Sequence, residues 1–596
     1  MTTTETKTGA EEVLWDLSPL YSGHDDPKID ADIGDSHKAA AAFKKRYHGK
    51  VASLSAEELF DAIKEAERIQ ELVYKASVYA YLHFSTNTSE PQRGALLQKM
   101  QEAQAALSTE LLFMQLEWIA VPDDQAAKLV ADPALAEYRH YLESARRYKP
   151  HVLTEPEEKI LTEKTVSGSS AWSRLFTELT SAIKVKIDGE EQTLEKAMSI
   201  LQRPDRDKRK QAAEAITEAI GQGIRTRAFV FNTLLHDKAV NDRLRGHDNW
   251  LSSRNLSNET SDESVQALID ACVDRYDIPQ RYYALKAKLL GLDKLADYDR
   301  NAPALSEDTF LTWNEAKDSV IDAYQSFSPK AGKIITQFFD ENWIDAVAGD
   351  DKTPGAYCMT HVPGVHPYVL MSYTGERRAV LTLAHELGHG LHGYLAQDRG
   401  LINADTPLTL AETASVFGEA LVFKRLLDAE TDPRGRLGLL TGRIDDAIAT
   451  VFRQVAMNRF EDAVHNARRG QGELSLDDFA SHWEKTQAEV LGDAVEISDG
   501  YKTWWSYIPH FIGSPGYVYA YAFGYLFSLA IFRKYEDEGD RMVDPYLELL
   551  AAGGSDTPER LGKIVGLDLT DSGFWAGGLE AVDEVLKEAE ALADSV

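Results

Sequence analysis

The chain predicts a mainly α fold with one small β-sheet beside a histidine-bearing helix. Three observations predict it. Apolar residues recur at helical spacing over 55–80, 90–117, 208–244 and 263–290. Gly and Pro are sparse for 596 residues, 39 and 20, and are scattered, leaving no long linker, internal repeat or low-complexity tract. Strand-prone residues are confined to two short stretches, 182–194 and 369–373.

The elements follow in chain order. Met1 to Lys7 carries no apolar stretch of the kind a secretory signal needs. The four periodic segments read as long helices. Ala182 to Leu194 reads as a hairpin turning at Asp188-Gly189, a pair that favours the left-handed backbone of a tight turn. A boundary near residue 200, around Arg203-Pro-Asp-Arg-Asp-Lys, gives an N-terminal helical domain, 1–200, with that hairpin near 182–195, and a second domain, 201–596. Val369-Leu-Met-Ser-Tyr373, bounded by Pro367 and Gly375, reads as a strand. An extended edge there could pair with a peptide backbone, and an ordinary small sheet fits those residues equally well.

His385-Glu386-Leu387-Gly388-His389 has the pattern H-E-x-x-H inside an apolar run, 380–392. Residues four apart share a helix face, so both imidazoles can reach one metal ion. Glu386 falls beside them, placed to take a proton from a water that the metal activates. Leu383, Ala384, Leu387 and Leu391 supply a buried face, and no Pro interrupts it. The plainer reading is a pair of histidines making ordinary hydrogen bonds. His392 lies two turns beyond His385, roughly 10 Å along the axis, too far to share its metal. It has either a supporting or substrate-contacting role, or a packing one.

A catalytic zinc site needs a third protein ligand and an open position. Thr406-Pro407 reads as a helix start and Leu408 to Leu427 as one amphipathic helix. Glu412 and Glu419 fall on one face of it, among small or apolar residues. A buried carboxylate needs a partner there, and a metal ion is one. Glu412 is the candidate ligand; its rival reading is a capping box with Thr409. Glu419 is a candidate acceptor behind a histidine ring, or an ordinary exposed or ion-paired carboxylate.

Further on, Tyr517, Tyr519, Tyr521, Phe523 and Tyr525 alternate, as in a strand or a helix with rings all round. Tyrosines fill cores, yet phenylalanine would do so equally well, and buried hydroxyls need partners. A polar cleft wall fits them better. The uncharged stretch 517–532 is too short and too rich in tyrosine for a membrane span.

The net charge of −32 excludes the basic footprint of nucleic-acid binding and of adhesion to anionic membranes. It fits a soluble protein, with some preference for cationic peptides. Only Cys272 and Cys358 occur, so no disulfide framework exists and a reducing, cytoplasmic setting is expected. Cys358 reads as an inert thiol or as a redox-sensitive one near the presumed site. Nothing in the sequence signals an oligomeric state.

Taken together these segments resemble the thimet-type metallo-oligopeptidases, and within them the oligoendopeptidase F subfamily. The likeness rests on 385–392 followed by Glu412-Thr-Ala-Ser415. It rests also on Arg147-Tyr-Lys-Pro-His-Val-Leu-Thr-Glu-Pro-Glu-Glu-Lys, on Gly355-Ala-Tyr-Cys358, on His366-Pro-Tyr-Val-Leu-Met-Ser-Tyr373, on Pro509-His-Phe and on Tyr517-Val-Tyr-Ala-Tyr521. It runs from about Trp15 to near the C-terminus. The resemblance implies two helical halves enclosing a deep substrate channel, the second domain being catalytic. It implies one Zn2+ per chain on His385, His389 and Glu412, with Glu386 as general base. It implies His510, Tyr517 and Tyr521 at the scissile bond and a substrate-binding role around Tyr373. The pattern's third tyrosine would fall near Gly524, where Tyr519 or Tyr525 could substitute.

The expected activity is zinc-dependent hydrolysis of internal bonds in short oligopeptides. A zinc exopeptidase, either a peptidyl dipeptidase or a carboxypeptidase, would need a fixed cation for the terminal carboxylate, and Arg377 and Arg378 are the nearest in sequence. A non-catalytic helical scaffold would not need Glu386.

Overall fold

Caps and prolines set many helix starts in the structure, a computed structural model that describes residues 7–305, 310–349, 351–571 and 573–595. The first of the expected helices is Ala56–Ser85, begun by a capping box in which Ser55 and Glu58 satisfy each other's backbone N–H groups. The next is Pro91–Ala120, with Pro91 in its first turn. The other two expected helices are each divided. The segment 208–244 forms Arg206–Gly221 and Ile224–Arg245, separated by Gly223 in the left-handed region at φ +70°. The segment 263–290 forms Asp262–Asp274 and Asp277–Leu289. Pro279 accounts for that break. It has no N–H to give a preceding turn, so it sits in the first turn of a new helix.

The hairpin forms as expected. Lys184–Ile187 pairs antiparallel with Glu190–Thr193, and Asp188 and Gly189 both take positive φ, 54° and 87°.

By backbone contacts the chain divides into two units, each discontinuous in sequence. The first comprises Met1–Lys149, Thr309–Leu426 and Ile531–Asp568; the second comprises Pro150–Asp308, Leu427–Ala530 and Leu569–Val596. Residue 200 therefore lies inside the second unit, and so does the hairpin. Residues far apart in sequence complete each core, so a cut at 200 does not separate compact bodies.

In the first unit, Leu59, Ile63, Leu107, Met114 and Trp118 form one helical core. A second cluster joins Val78, Tyr79 and Leu82 to Tyr368 and Leu370 of a three-stranded sheet. Its strand order is Ile344–Asp345, Tyr368–Leu370, Tyr357–Met359, the first pair parallel and the second antiparallel. The run 369–373 is thus central rather than an edge. Val369, Met371 and Tyr373 donate to the carbonyls of Trp343, Asp345 and Ala346 on one side, and Cys358 stands opposite Val369 on the other. The edge strands are Ile344–Asp345 and Tyr357–Met359. Helix Arg377–Ala396 packs against this sheet.

The second unit is built around Phe231, Phe460, Phe479, Trp483, Trp505 and Phe511, all buried together. Among the described residues no helix is long and apolar enough to cross a membrane.

Candidate metal centre and tyrosine cluster

Helix Arg377–Ala396 buries Val380, Leu383, Ala384, Leu387 and Leu391 on one face, which fixes where its histidines point. The rings of His385 and His389 lie 5.0 Å apart, nearly perpendicular. Glu412 arrives from the segment that follows, but not on the long helix expected there. A single turn, Leu408–Ala411, begins after Pro407 as cap and ends at Glu412, whose backbone sits at φ −86°, ψ 3°. Helix Ser415–Ala429 then starts afresh. Thr409 lies buried within the short turn and forms no capping box with Glu412.

This break is what separates the two carboxylates. Glu412 Oε2 lies 3.3 Å from His385 Nε2 and 3.6 Å from His389 Nε2, while Glu419 Oε2 lies 3.3 Å from His385 Nδ1. Glu419 therefore holds the far nitrogen of a ring whose near nitrogen faces Glu412. Ser415 fixes the bend, its hydroxyl donating to Glu412 Oε2 at 2.7 Å. That role is readable only in hindsight from the three-residue spacing.

Close packing presses these pieces together. A Cβ on Gly388 would run into the Ala414 carbonyl and the Ser415 Cα, so glycine alone lets the histidine helix lie against the Glu412 turn. The Tyr324 hydroxyl donates to the Ala384 carbonyl at 2.9 Å, and the Tyr546 hydroxyl to the Thr413 carbonyl at 3.2 Å. Both bonds stand one residue from a candidate ligand, and neither has a local sequence signal.

His385, His389 and Glu412 are the one group among the described residues whose ligand atoms converge, all within 4.8 Å. Tetrahedral zinc with bonds of about 2.0–2.1 Å would space neighbouring ligand atoms by about 3.4 Å, close to the distances observed. The donor set also demands a cation. Two imidazole nitrogens and a carboxylate oxygen turned toward one point repel unless a proton or a metal stands between them. Burial disfavours a charge on His385, but Glu412 and Glu419 outweigh it and hold the ring well above its usual range. Burial also works against charge on Glu412, yet His385 and His389 keep that carboxyl far below normal. For His389, burial dominates and pulls the ring down to about 4.

Glu386 is 6% exposed and has no ligand atom in the convergent group. Burial, with the charge of Glu412 adding and that of His385 opposing, pushes its carboxyl up to about 7. His392 is buried outside the group, its ring pulled down to about 4 by burial and by His389. Tyr373 is 1% exposed. Its hydroxyl donates to the Leu311 carbonyl at 2.8 Å and its ring packs edge-on to Trp313, so it is a core residue with no surface to offer a substrate. Arg377 is buried and Arg378 exposed, both in the first turn of the histidine helix.

The second unit assembles the tyrosine motif. His510 opens a one-turn helix, and Tyr521 lies in helix Tyr519–Glu538. The Tyr521 hydroxyl is 3.3 Å from His510 Nε2, and the Tyr517 ring packs 5.1 Å from Tyr521 and 5.8 Å from His510. These three side chains are partly exposed. Burial and the charge of Arg453 lower His510 from its usual value. Tyr519 and Tyr525 are buried instead. Asn258 donates to the Tyr519 hydroxyl at 2.8 Å, and the Arg443 guanidinium lies over the Tyr525 ring. Neither replaces the tyrosine missing at Gly524.

Comparison with known proteins adds sequence relatives to this geometry. The pattern of peptidase family M3 matches residues 199–580, and that of oligopeptidase F matches residues 117–184. Oligopeptidase PepF of Bacillus subtilis is 27% identical over 558 residues, covering 92% of this chain and 82% of that protein. An oligoendopeptidase F homolog of Borreliella burgdorferi is 25% identical over 94% of this chain and 95% of its own. The fold is similar to a solved chain from Chlamydophila abortus, with TM-score 0.85, 25% identity and coverage of 97% and 98%. It is similar also to oligoendopeptidase-F from Enterococcus faecium, with TM-score 0.73, 24% identity and coverage of 96% and 99%.

Proposed function

The chain belongs to peptidase family M3, and on that premise we propose that it is a zinc-dependent endopeptidase cleaving internal bonds of short oligopeptides. The convergence of His385, His389 and Glu412 on one point carries this reading. These three residues would hold the metal, and Glu419, 3.3 Å from His385 Nδ1, would favour the tautomer that leaves Nε2 free to bind it. A bound zinc ion supplies the Lewis acidity that makes water nucleophilic near neutral pH.

The remaining work falls to side chains. Glu386 takes the proton of the attacking water and returns it to the departing amine, which must leave protonated. Its burial strips competing water from the carboxylate and suits it to both steps. The hydroxyls of Tyr517 and Tyr521 and the neutral ring of His510 donate hydrogen bonds to the developing oxyanion. An extended peptide pairs with the outer side of Tyr357–Met359, one of the two edge strands of this sheet. Two free cysteines and the absence of disulfides among the described residues accord with a reducing, cytoplasmic setting.

The test is a quenched fluorescent peptide series of increasing length, with free and amidated C-termini. About one zinc per chain, inhibition by a chelator, cleavage of amidated peptides and a fall in kcat of at least about 1,000-fold in Glu386→Gln are expected. Turnover surviving in Glu386→Gln would sink the mechanism. Loss of cleavage on amidation would make the protein an exopeptidase.

A further inference from the structure

The turn that delivers Tyr517 is not self-supporting. Ser514 to Gly516 links the one-turn helix at His510 to helix Tyr519–Glu538, and its local backbone bonds are from Ser514 N–H to the His510 carbonyl, 3.0 Å, and from Tyr517 N–H to the Ser514 carbonyl, 3.1 Å. Two distant side chains hold the rest. The Arg254 guanidinium reaches the Pro515 carbonyl at 3.3 Å, and Glu461 Oε1 accepts the Gly516 N–H at 2.9 Å. Gly516 itself has no latitude. Its φ is +73°, and a Cβ there would stand 2.6 Å from Leu251 Cδ1.

Glu461 is an expensive residue for such a task. It lies in helix Arg453–Gln471, is 0% exposed, and its second oxygen has no partner among the described residues. A buried carboxyl with an unmet oxygen destabilises a fold, and an apolar side chain of similar length would pack there without that cost. The same helix is pinned to the strip before Arg254. Trp250 stacks on His465 at 4.4 Å and donates its indole N–H to Asp462 at 2.8 Å. The carboxyl therefore projects from a rigid support onto the peptide unit that joins Pro515 to Gly516, one residue before Tyr517.

We propose that Glu461 is a positioning residue for Tyr517: its carboxyl fixes the Gly516 N–H and thereby the place where the Tyr517 hydroxyl meets the reacting carbonyl. The inference rests on the role of Tyr517 given above. A displacement of about 1 Å in a catalytic group can cost as much as 100-fold in rate. One rotatable residue separates the clamp from that side chain.

The experiment is a double-mutant cycle on the full-length, metal-loaded enzyme, with melting temperature and metal content recorded for every variant. Glu461→Gln keeps an acceptor for Gly516, and it retains most of kcat. Glu461→Met keeps the length but removes the acceptor oxygen. It lowers kcat by about 10- to 100-fold with KM little changed. In a Tyr517→Phe background the same Glu461→Met change has almost no further effect, because the hydroxyl it places is gone. Should Glu461→Met fail to fold, Glu461→Asp shortens the carboxyl by one methylene and enters the same cycle, with a smaller loss expected and the same absorption by Tyr517→Phe. Equal losses in both backgrounds overturn the clamp. So does a folded Glu461→Gln that is as slow as Glu461→Met, or a Glu461→Met with unchanged kcat. An undiminished kcat in Tyr517→Phe alone overturns the assigned role of Tyr517 together with the clamp, so the two failures are distinguishable.

Discussion

The histidine helix Arg377–Ala396 and the tyrosine helix Tyr519–Glu538 carry the candidate chemistry by opposite means. On the first, both histidines belong to one regular helix, and the spacing of four residues alone brings their rings together. On the second, Tyr521 is helical, Tyr517 sits on the turn before it and His510 on the helix before that. A histidine pair drawn from one helix is fixed by helix geometry. A donor cluster drawn across a turn is fixed by side chains far away in sequence, here Arg254 and Glu461. The first arrangement resists distant substitution, whereas the second transmits it.

That contrast can be broken within the tyrosines themselves. Tyr521→Phe is expected to lower kcat by roughly 100- to 1,000-fold, while Tyr519→Phe, two residues away in sequence but buried, leaves kcat nearly unchanged. Equal effects on peptide turnover would dissolve the distinction between them. On the histidine side, Glu419→Gln should weaken metal affinity by about 10- to 100-fold, the usual cost of losing the partner behind a metal-bound histidine. Competition with a chelator measures it, and unaltered affinity would remove Glu419 from the site.

Glu461 sharpens the comparison through pH. Burial pushes its carboxyl up to about 8, against an ordinary value of 4.5. Between those values the folded chain holds a proton that the unfolded chain has released. Stability from this group is complete below pH 4.5 and is lost as pH rises toward 8, by at most about 1.4 kcal/mol per pH unit. Denaturant titrations of wild type and Glu461→Gln at pH 5, 6.5 and 8 should diverge with rising pH, the variant losing less. Parallel stability curves would contradict a protonated buried carboxyl. The smallest effect belongs to Tyr373→Phe, which removes one buried hydrogen bond and should cost about 1 kcal/mol of stability with kcat intact. A fall in kcat instead would return Tyr373 to the substrate.

What the sequence discloses of this site follows the same division. His385, Glu386 and His389 are legible because their relation is a helical period. Glu412 is legible as a carboxylate in an apolar setting, but its position is not. The expected continuous helix would carry Glu412 and Glu419 on one face, whereas the bend at 412–414 sets them on opposite nitrogens of His385. That bend depends on Ser415, Gly388 and Tyr546, the last more than 130 residues away, and no window of sequence contains all three. Pro279 is a local signal of another kind: its missing N–H is enough to divide 263–290 into two helices. The run at 369–373 has strand composition, but central or edge placement is decided by Ile344–Asp345 and Tyr357–Met359 pairing on either side. Tyr517 and Tyr521 differ from Tyr519 and Tyr525 only in what covers them, and burial is a property of the assembled core.

The bond from Tyr546 to the Thr413 carbonyl has a consequence for how the protein is made. All three presumed ligands leave the ribosome by residue 412, yet the turn holding Glu412 waits for a side chain that emerges well over a hundred residues later. Until Tyr546 packs against it, the turn that carries Glu412 lacks the bond that holds the Thr413 carbonyl.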